Sequence, residues 1–243
     1  MSVYLIDHPP ASRQYRSPRR ETPSGLIVVH TAENTPDTIP EDRGAEAVAA
    51  FIANRSDPGS YHVLCDADSI VNLVRYTDEA FHDATGSNPH SFGLSAATQA
   101  HRWADMPGWW VDGCIENMAA AAAKYARWIA AEHGVIIPPV RVTRDESEAR
   151  VPGFISHAER DPARRTDPGE GFPWTRFLRE FEDQMNPTLR GEKVDQALAL
   201  TRQATAVALD IHRPKHQATV DEAVKHLRAA RRALRSIPRL DED

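Results

Sequence analysis

The segment Gly25–Thr31, with the sequence GLIVVHT, decides the fold. It is a short apolar run rich in β-branched residues, which is typical of a strand buried inside a sheet. The segments Tyr61–Cys65 and Ile70–Val74 flank the turn-forming sequence DADS and predict a β-hairpin. Weaker extended patterns follow at Phe92–Thr98, Val140–Val142 and Gly153–Ser156.

Helical patterns separate these strands. The segment Glu41–Arg55 places its apolar residues on one helical face, and Asp112–His133 is the longest and most alanine-rich helix candidate, followed by Gly134 as its C-cap. Pro173-Trp174 begins a last helix that runs to about Met185, whereas residues 1–23 indicate an extended lead-in. The pattern predicts an α/β fold, with a mixed central β-sheet flanked by helices.

The composition changes at Asn186-Pro187, which predicts one domain over residues 1–187 and a second over residues 188–243. In the second, apolar residues recur at steps of three and four over residues 192–212 and 220–237, which predicts a C-terminal α-helical hairpin. The net charge of −6 is uneven, because this tail carries more basic than acidic residues. Its arginines either meet an anionic partner or form the solvated face of the hairpin.

Two cysteines, Cys65 and Cys114, are too few for a secreted disulfide scaffold and indicate buried free thiols. The N-terminus lacks a basic segment followed by an apolar run, so no signal peptide is expected. No apolar stretch reaches the roughly 18 residues of a membrane span. We therefore expect a protein made in the cytoplasm that neither inserts into membranes nor binds nucleic acid, with a monomer as the favoured state.

Two histidines follow apolar strand segments: His30 ends the first strand, and His157 follows Phe154-Ile155-Ser156. Asp167 comes ten residues after His157 and precedes Pro168-Gly169. Two neutral imidazoles and one carboxylate are a common ligand set for catalytic zinc, because three protein ligands leave one position open for water. Each histidine alone is ordinary, since a strand-end histidine is more often structural.

The sequence from His157 to Gly169, HAERDPARRTDPG, resembles the C-terminal signature of the type-2 N-acetylmuramoyl-L-alanine amidases. That family includes phage endolysins and is similar to the animal peptidoglycan recognition proteins. Other family landmarks appear in the same order: a strand ending in His30, the pair Tyr61-His62 before a hairpin, and His82-Asp83 followed by Asn88 and Ser91-Phe92-Gly93. The resemblance covers about residues 25–185.

The resemblance implies a Zn²⁺ ion held by His30, His157 and Asp167 in a groove at one edge of the sheet. The metal would polarise the amide carbonyl and activate a water that attacks it. Tyr61 occupies the place of the family's active-site tyrosine, although a half-buried strand aromatic would look the same. Arg165 stands where many members carry a catalytic lysine, although it also fits a solvated arginine beside Arg160 and Arg164.

The resemblance also assigns His82 and Asn88 to substrate binding, with His82 alternatively behind a metal ligand. One position departs from the family pattern, because Ser95 stands where some members carry a glutamate base. Glu33, three residues after His30, is the nearest acidic candidate for that role.

Residues 1–187 are therefore predicted to form a zinc amidase domain that cuts the bond between N-acetylmuramic acid and L-alanine in bacterial peptidoglycan. As a phage or prophage endolysin, it would wait in the host cytoplasm until its release to the cell wall. The alternatives are a non-catalytic peptidoglycan-binding protein and a zinc peptidase that cuts within the stem peptide. Three tryptophans before the long helix either stack on sugars or plug the core: Trp103, Trp109 and Trp110.

Overall fold

A computed structural model of the chain describes residues 4–10, 12–38 and 43–186. Its strands are β1 (Tyr4–Asp7), β2 (Tyr15–Arg16), β3 (Leu26–Thr31), β4 (Val63–Cys65), β5 (Ser69–Asn72), β6 (Glu79–Ala80), β7 (Ser91–Ala96) and β8 (Gly153–Ser156). Its helices are α1 (Gly44–Asn54), α2 (Gly108–His133), α3 (Arg144–Glu148), α4 (His157–Arg160) and α5 (Trp174–Met185), with a 3₁₀ turn at Ser12–Gln14.

Six strands form the central sheet in the order β1-β5-β4-β7-β3-β8, while β2 and β6 form a separate antiparallel pair. Only β4 and β5 run antiparallel among the neighbours in the large sheet, and they form the hairpin that the sequence predicts. The prediction of a mixed central sheet flanked by helices is confirmed. Strand β3 lies between β7 and β8, and all six of its residues are buried.

The helices cover the sheet with the faces that their periodicity predicts. The apolar residues of α1, among them Val48 and Ile52, pack with Leu64 and Val71 of the hairpin. Helix α2 lies against β4, β5 and β7 and ends at Gly134, whose φ of 69° is the left-handed conformation that favours glycine at a helix C-cap. Helix α5 packs on β8, where the Phe154 ring lies 4.8 Å from that of Phe181.

Several boundaries differ from the sequence prediction. The lead-in contains β1, which extends the sheet edge by pairing in parallel with β5. Its residues Tyr4 and Leu5 are exposed, so no buried periodicity marks this strand in the sequence. Helix α2 begins at Gly108, four residues early, and the segment around Arg141 contributes a single bridge to Phe154. The predicted C-terminal hairpin lies outside the described residues.

Cys65 and Cys114 are free and buried, as the sequence predicts. The Cys114 thiol donates to the backbone oxygen of Cys65 at 3.8 Å, which places α2 directly against β4. No helix in the part of the chain that the structure describes is long and apolar enough to cross a membrane.

Candidate active site

The two strand-end histidines meet because their strands are parallel neighbours. Val29 of β3 pairs with Ser156 of β8, so His30 and His157 follow at the same level of the sheet. His157 is also the first residue of α4, whose start is held by a capping box between Ser156 and Glu159. Strand pairing and helix capping thus fix the backbone positions of His30 and His157.

The loop after α4 places Asp167 next to His30 and His157. The amide of Ala158 donates to the Asp167 backbone oxygen at 2.8 Å, and the Trp103 indole donates to the Pro168 oxygen at 2.7 Å. Gly169 has a φ of 93°, and a β-carbon there would lie 1.9 Å from the Ala100 oxygen. The positive φ and this close approach explain why a glycine follows Asp167-Pro168.

The three side chains converge through one atom each. His30 Nδ1 lies 3.1 Å from His157 Nδ1 and 3.0 Å from Asp167 Oδ2, and His157 Nδ1 lies 3.2 Å from the same oxygen. In a tetrahedral zinc site with bonds of about 2.0 Å, neighbouring ligand atoms are about 3.3 Å apart. The cluster is buried, and its donor set of two nitrogens and one carboxylate oxygen fits a zinc ion.

The electrostatics keep two of these groups, His30 and Asp167, in the forms that bind a metal. Burial lowers the pKa of His30, against a raising effect of its hydrogen bond to Asp167, so the imidazole is neutral. Burial alone would raise the pKa of the Asp167 carboxyl, but its side-chain contacts with His157 and His30 hold that pKa well below its usual range. The carboxylate is therefore ionised at neutral pH.

His82 lies behind His30 and is buried. Its Nδ1 is 3.1 Å from His30 Nε2, and its Nε2 is 3.0 Å from the Ser91 hydroxyl. The Asn88 side-chain oxygen accepts hydrogen bonds from the backbone amides of His82 and Asp83, at 3.2 and 2.7 Å. Both residues thus build the wall behind a metal-ligand candidate, and the assignment of either one to substrate binding stays a prediction.

Tyr61 borders the cluster on the other side, with its ring 5.2 Å from that of His30. Burial and the nearby Asp167 charge raise the pKa of the phenol to about 12, although a hydrogen bond with Ser95 opposes the shift. Ser95 pairs with His30 across β3 and β7. Ser95 therefore holds the tyrosine by its side-chain hydrogen bond.

The two charged candidates, Arg165 and Glu33, are both exposed and both lie near Tyr61. Arg165 is exposed, and its positive charge partly offsets the upward shift of the Tyr61 pKa, which places the two residues near each other. Glu33 also acts on Tyr61, and its Oε1 accepts hydrogen bonds from the Thr31 hydroxyl at 2.5 Å and the Ala100 amide at 3.0 Å. The structure thus brings both residues to the same end of the sheet as the ligand cluster.

Sequence reasoning missed a buried polar cluster that supports this site. Arg160, grouped in the sequence with the surface arginines, is 5% exposed and donates to Asp83 at 3.1 Å and to the Ser147 hydroxyl at 2.6 Å. Asp83 also accepts from Ser87 and from both the amide and the hydroxyl of Thr85. No local pattern distinguishes this arginine from Arg164, which pairs with Asp161 at the surface.

Two of the three tryptophans take the core role that the sequence leaves open. Trp103 and Trp110 are buried, and the Trp103 ring packs 5.2 Å from Phe172, so these two belong to the core. Trp109 lies in the first turn of α2 and is half-buried. Of the three, Trp109 alone keeps a substantial exposed surface.

An α/β domain with a buried His-His-Asp cluster at the ends of two parallel strands defines an enzyme domain with a candidate metal centre. The family model for N-acetylmuramoyl-L-alanine amidase matches residues 19–170, so the chain belongs to this family and is an amidase that acts on peptidoglycan. The matched range contains all eight residues that the sequence singles out. No curated protein matches the chain significantly.

Several solved structures are similar to this chain. The hydrolase AmiA of Staphylococcus aureus, solved with its ligand, is 13% identical, with a TM-score of 0.54 over 76% of this chain and 86% of that one. A mutant endolysin from Bacillus subtilis is 20% identical, with a TM-score of 0.45 over 76% and 99% of the two chains. The Ph2119 endolysin of a Thermus scotoductus bacteriophage is 15% identical, with a TM-score of 0.42 over 73% and 99%. The likeness to AmiA supports the α/β assignment.

Proposed function

We propose that the chain is a zinc-dependent amidase that hydrolyses the bond between N-acetylmuramic acid and L-alanine, and that His30, His157 and Asp167 hold the metal. The observation that carries the proposal is the convergence of their three ligand atoms within 3.0–3.2 Å of one another. When bound, zinc supplies a Lewis acid that polarises an amide carbonyl and makes water more acidic.

The chain's own residues then act on the amide as it becomes tetrahedral. Tyr61, with a pKa of about 12, stays protonated and donates a hydrogen bond to the developing oxyanion. Arg165 adds a positive charge near Tyr61, and because a guanidinium keeps its proton, it stabilises charge and does not transfer protons. Ser95 holds the phenol in place by its hydrogen bond.

Glu33 is the proposed general base. Its backbone has a φ of 57°, which is uncommon for a residue other than glycine, and its Oε1 is held by Thr31 and Ala100. Replacement by Gln keeps the shape and an acceptor but removes the basic group, so we expect Glu33→Gln to lower kcat by roughly 10²–10⁴ with zinc still bound. Glu170→Gln, at an exposed position beyond Gly169, is the control; equal activity of the two variants would contradict the role of Glu33.

The test of the proposed function combines product analysis with metal analysis. Purified peptidoglycan is digested, and mass spectrometry is expected to find stem peptides with a free N-terminal L-alanine. Cleavage inside the stem peptide would instead identify a peptidase, and binding without release of products would identify a recognition protein. Metal depletion is expected to abolish activity and added zinc to restore it; full activity of metal-free protein would contradict the zinc assignment.

Variants of the three ligands connect that result to the site. His30→Ala, His157→Ala and Asp167→Ala are each expected to lose both zinc, measured by elemental analysis, and amidase activity. His8→Ala serves as the control and is expected to keep both, because His8 lies just after β1 at the far edge of the sheet. Retention of zinc by all three ligand variants would place the metal elsewhere.

We also propose that the protein acts as a phage or prophage endolysin, which rests on the resemblance of its motifs to that family. An endolysin is expected to lyse its host only when a membrane pore gives it access to the wall. Production of the protein in a bacterial cytoplasm, with and without a co-expressed pore-forming protein, tests this role. Equal lysis without the pore-forming protein would contradict this role, and cells that produce the pore-forming protein without the amidase are the control.

A further inference from the structure

His82 is placed to act on His30 from behind. The His30 ring uses Nδ1 toward His157 and Asp167, and its opposite nitrogen, Nε2, lies 3.1 Å from His82 Nδ1. The two rings are nearly perpendicular, at 79°, with centroids 5.2 Å apart. One imidazole edge therefore faces the candidate metal position, and the other is held by a second histidine.

If His30 binds a metal through Nδ1, the directions of its hydrogen bond to His82 and of the His82 hydrogen bond to Ser91 follow. A neutral histidine that binds a metal through Nδ1 carries its proton on Nε2, so His30 donates to His82 Nδ1. His82 must then carry its own proton on Nε2, which donates to the Ser91 hydroxyl at 3.0 Å. Ser91 in turn donates to the Ser87 backbone oxygen at 2.8 Å. Every proton along this chain has an acceptor.

The protein holds His82 rigidly. Its ring lies against Gly93, where a β-carbon would be 2.5 Å from His82 Cγ. Its backbone amide is held by the side chain of Asn88, and the ring is buried. A side chain with this many restraints is suited to orient a neighbouring ring, because metal-ligating histidines depend on such partners for their tautomer and direction.

The other ligand histidine is held differently. His157 Nε2 is buried without a hydrogen-bond partner in the described part of the chain, and the Asp83 Oδ1 atom lies 3.9 Å from it. The start of α4 instead fixes the His157 backbone. His30 is thus the ligand whose ring direction depends on a second side chain.

We propose that His82 is a positioning residue, which accepts the Nε2 proton of His30 and so sets the tautomer and direction in which His30 offers Nδ1 to the metal. The proposal rests on the proposed zinc function and adds to it a residue outside the ligand set. It also assigns Ser91 a role, which is to keep the His82 proton on Nε2.

Two variants of nearly equal shape isolate the acceptor. His82→Asn keeps an acceptor oxygen close to the place of Nδ1, whereas His82→Leu puts an apolar branch there. We expect His82→Leu to weaken zinc affinity about 10–100-fold, as loss of such a partner commonly does, and His82→Asn to recover most of that loss. Zinc affinity is measured by competition with a chromophoric chelator, and the visible spectrum of the cobalt-substituted protein reports any change in ligand geometry.

His90 supplies the control for burial. It is also a buried histidine whose Nδ1 contacts a serine hydroxyl, that of Ser24 at 3.1 Å, and none of its described contacts is to a metal-ligand candidate. His90→Leu is expected to lower the melting temperature of the metal-free protein while leaving zinc affinity and the cobalt spectrum unchanged. Equal losses of zinc affinity in His82→Leu and His82→Asn would show that packing alone matters and would overturn the proposal.

Unchanged zinc affinity in His82→Leu would overturn the proposal and leave the zinc function intact, whereas a wild-type protein that binds no zinc would refute the proposed function itself. If both His82 variants fail to fold, Ser91→Ala decides, because it keeps the His82 ring and removes its acceptor. We expect a smaller loss of zinc affinity for Ser91→Ala and none for Ser24→Ala. Equal affinities of these two serine variants would overturn the proposal.

Discussion

At the scale of single residues, the site depends on protonation states that the fold imposes. Burial keeps the imidazole of His30 neutral, and two hydrogen bonds keep Asp167 ionised. These are the forms in which the two groups bind a metal. Burial and the Asp167 charge raise the pKa of Tyr61, so its phenol stays protonated.

Tyr61→Phe removes one hydroxyl from the site. Since the pKa of the phenol is raised to about 12, its proton is present at all pH values well below 12, and Tyr61 acts as a donor throughout the neutral range. We expect Tyr61→Phe to lower kcat by roughly 10²–10³ with zinc still bound and with the pH profile unchanged in shape. Tyr76→Phe, in the aromatic cluster with Trp128, is the control. A loss that appears only at high pH would mean that the phenolate is the active form.

Arg165 and Arg164 are adjacent arginines with different surroundings. Arg164 pairs with Asp161 at 2.6 Å, whereas the Arg165 charge acts on Tyr61. We expect Arg165→Ala to lower kcat by roughly 10²–10³ without loss of zinc, and Arg165→Lys to keep much of the activity. Arg164→Ala is expected to matter little. Equal, small losses of activity in both alanine variants would show that Arg165 is a solvated surface residue without a role in catalysis.

At the scale of elements, β7 joins the catalytic side of the sheet to the wall behind it. Its Ser95 holds Tyr61, while Gly93 leaves room for the His82 ring. The contact is so close that any β-carbon at Gly93 would lie 2.5–2.9 Å from three His82 atoms. One strand thus determines the positions of two groups around His30.

Gly93→Ala is expected to push His82 out of place. Overpacking of this kind commonly costs about 1–3 kcal/mol, which corresponds to a fall in melting temperature of several degrees. Zinc affinity should fall as well, because His30 loses its partner. Gly108→Ala is the matched control, since nothing lies within 4 Å of the added carbon at the start of α2. Calorimetry of both variants tests the prediction, and equal melting temperatures would contradict it.

At the scale of the whole molecule, the change of composition at Asn186-Pro187 still predicts a domain boundary. All candidate site residues precede it. A shortened protein that ends at Pro187 is therefore expected to bind zinc and to cleave small soluble muropeptides. Loss of zinc on shortening would show that the boundary is wrong.

The role of the tail can be tested with the same shortened protein. If residues 188–243 pack on the catalytic domain, their removal lowers the melting temperature and promotes aggregation. If their basic residues bind an anionic wall, the melting temperature stays nearly unchanged, while sedimentation with cell walls falls and wild-type binding weakens with salt. We expect packing, because the two short helices that the sequence predicts carry regular apolar stripes, which need a partner surface. An equally stable and equally wall-bound shortened protein would contradict both roles.

The sequence by itself determined the features that depend on neighbouring residues. Buried strands such as β3, the apolar face of α1 and the cap at Gly134 follow from local periodicity and backbone preference, and the structure confirms them. The spacing from His157 to Asp167, read through the family resemblance, also indicated which residues converge. The residues of each pattern lie close together in the chain, so the pattern can be recognised from the sequence alone.

Only the tertiary structure decided which distant groups meet. The bond between Ser95 and Tyr61, the pairing of His82 with His30 and the buried contact of Arg160 with Asp83 each join residues from separate elements. The exposed strand β1 likewise exists because β5 offers it backbone partners. Such contacts depend on the order of strands in the sheet and on burial. Local sequence determines neither the strand order nor the burial, because an arginine or histidine can lie at the surface or in the core when a partner forms hydrogen bonds with it.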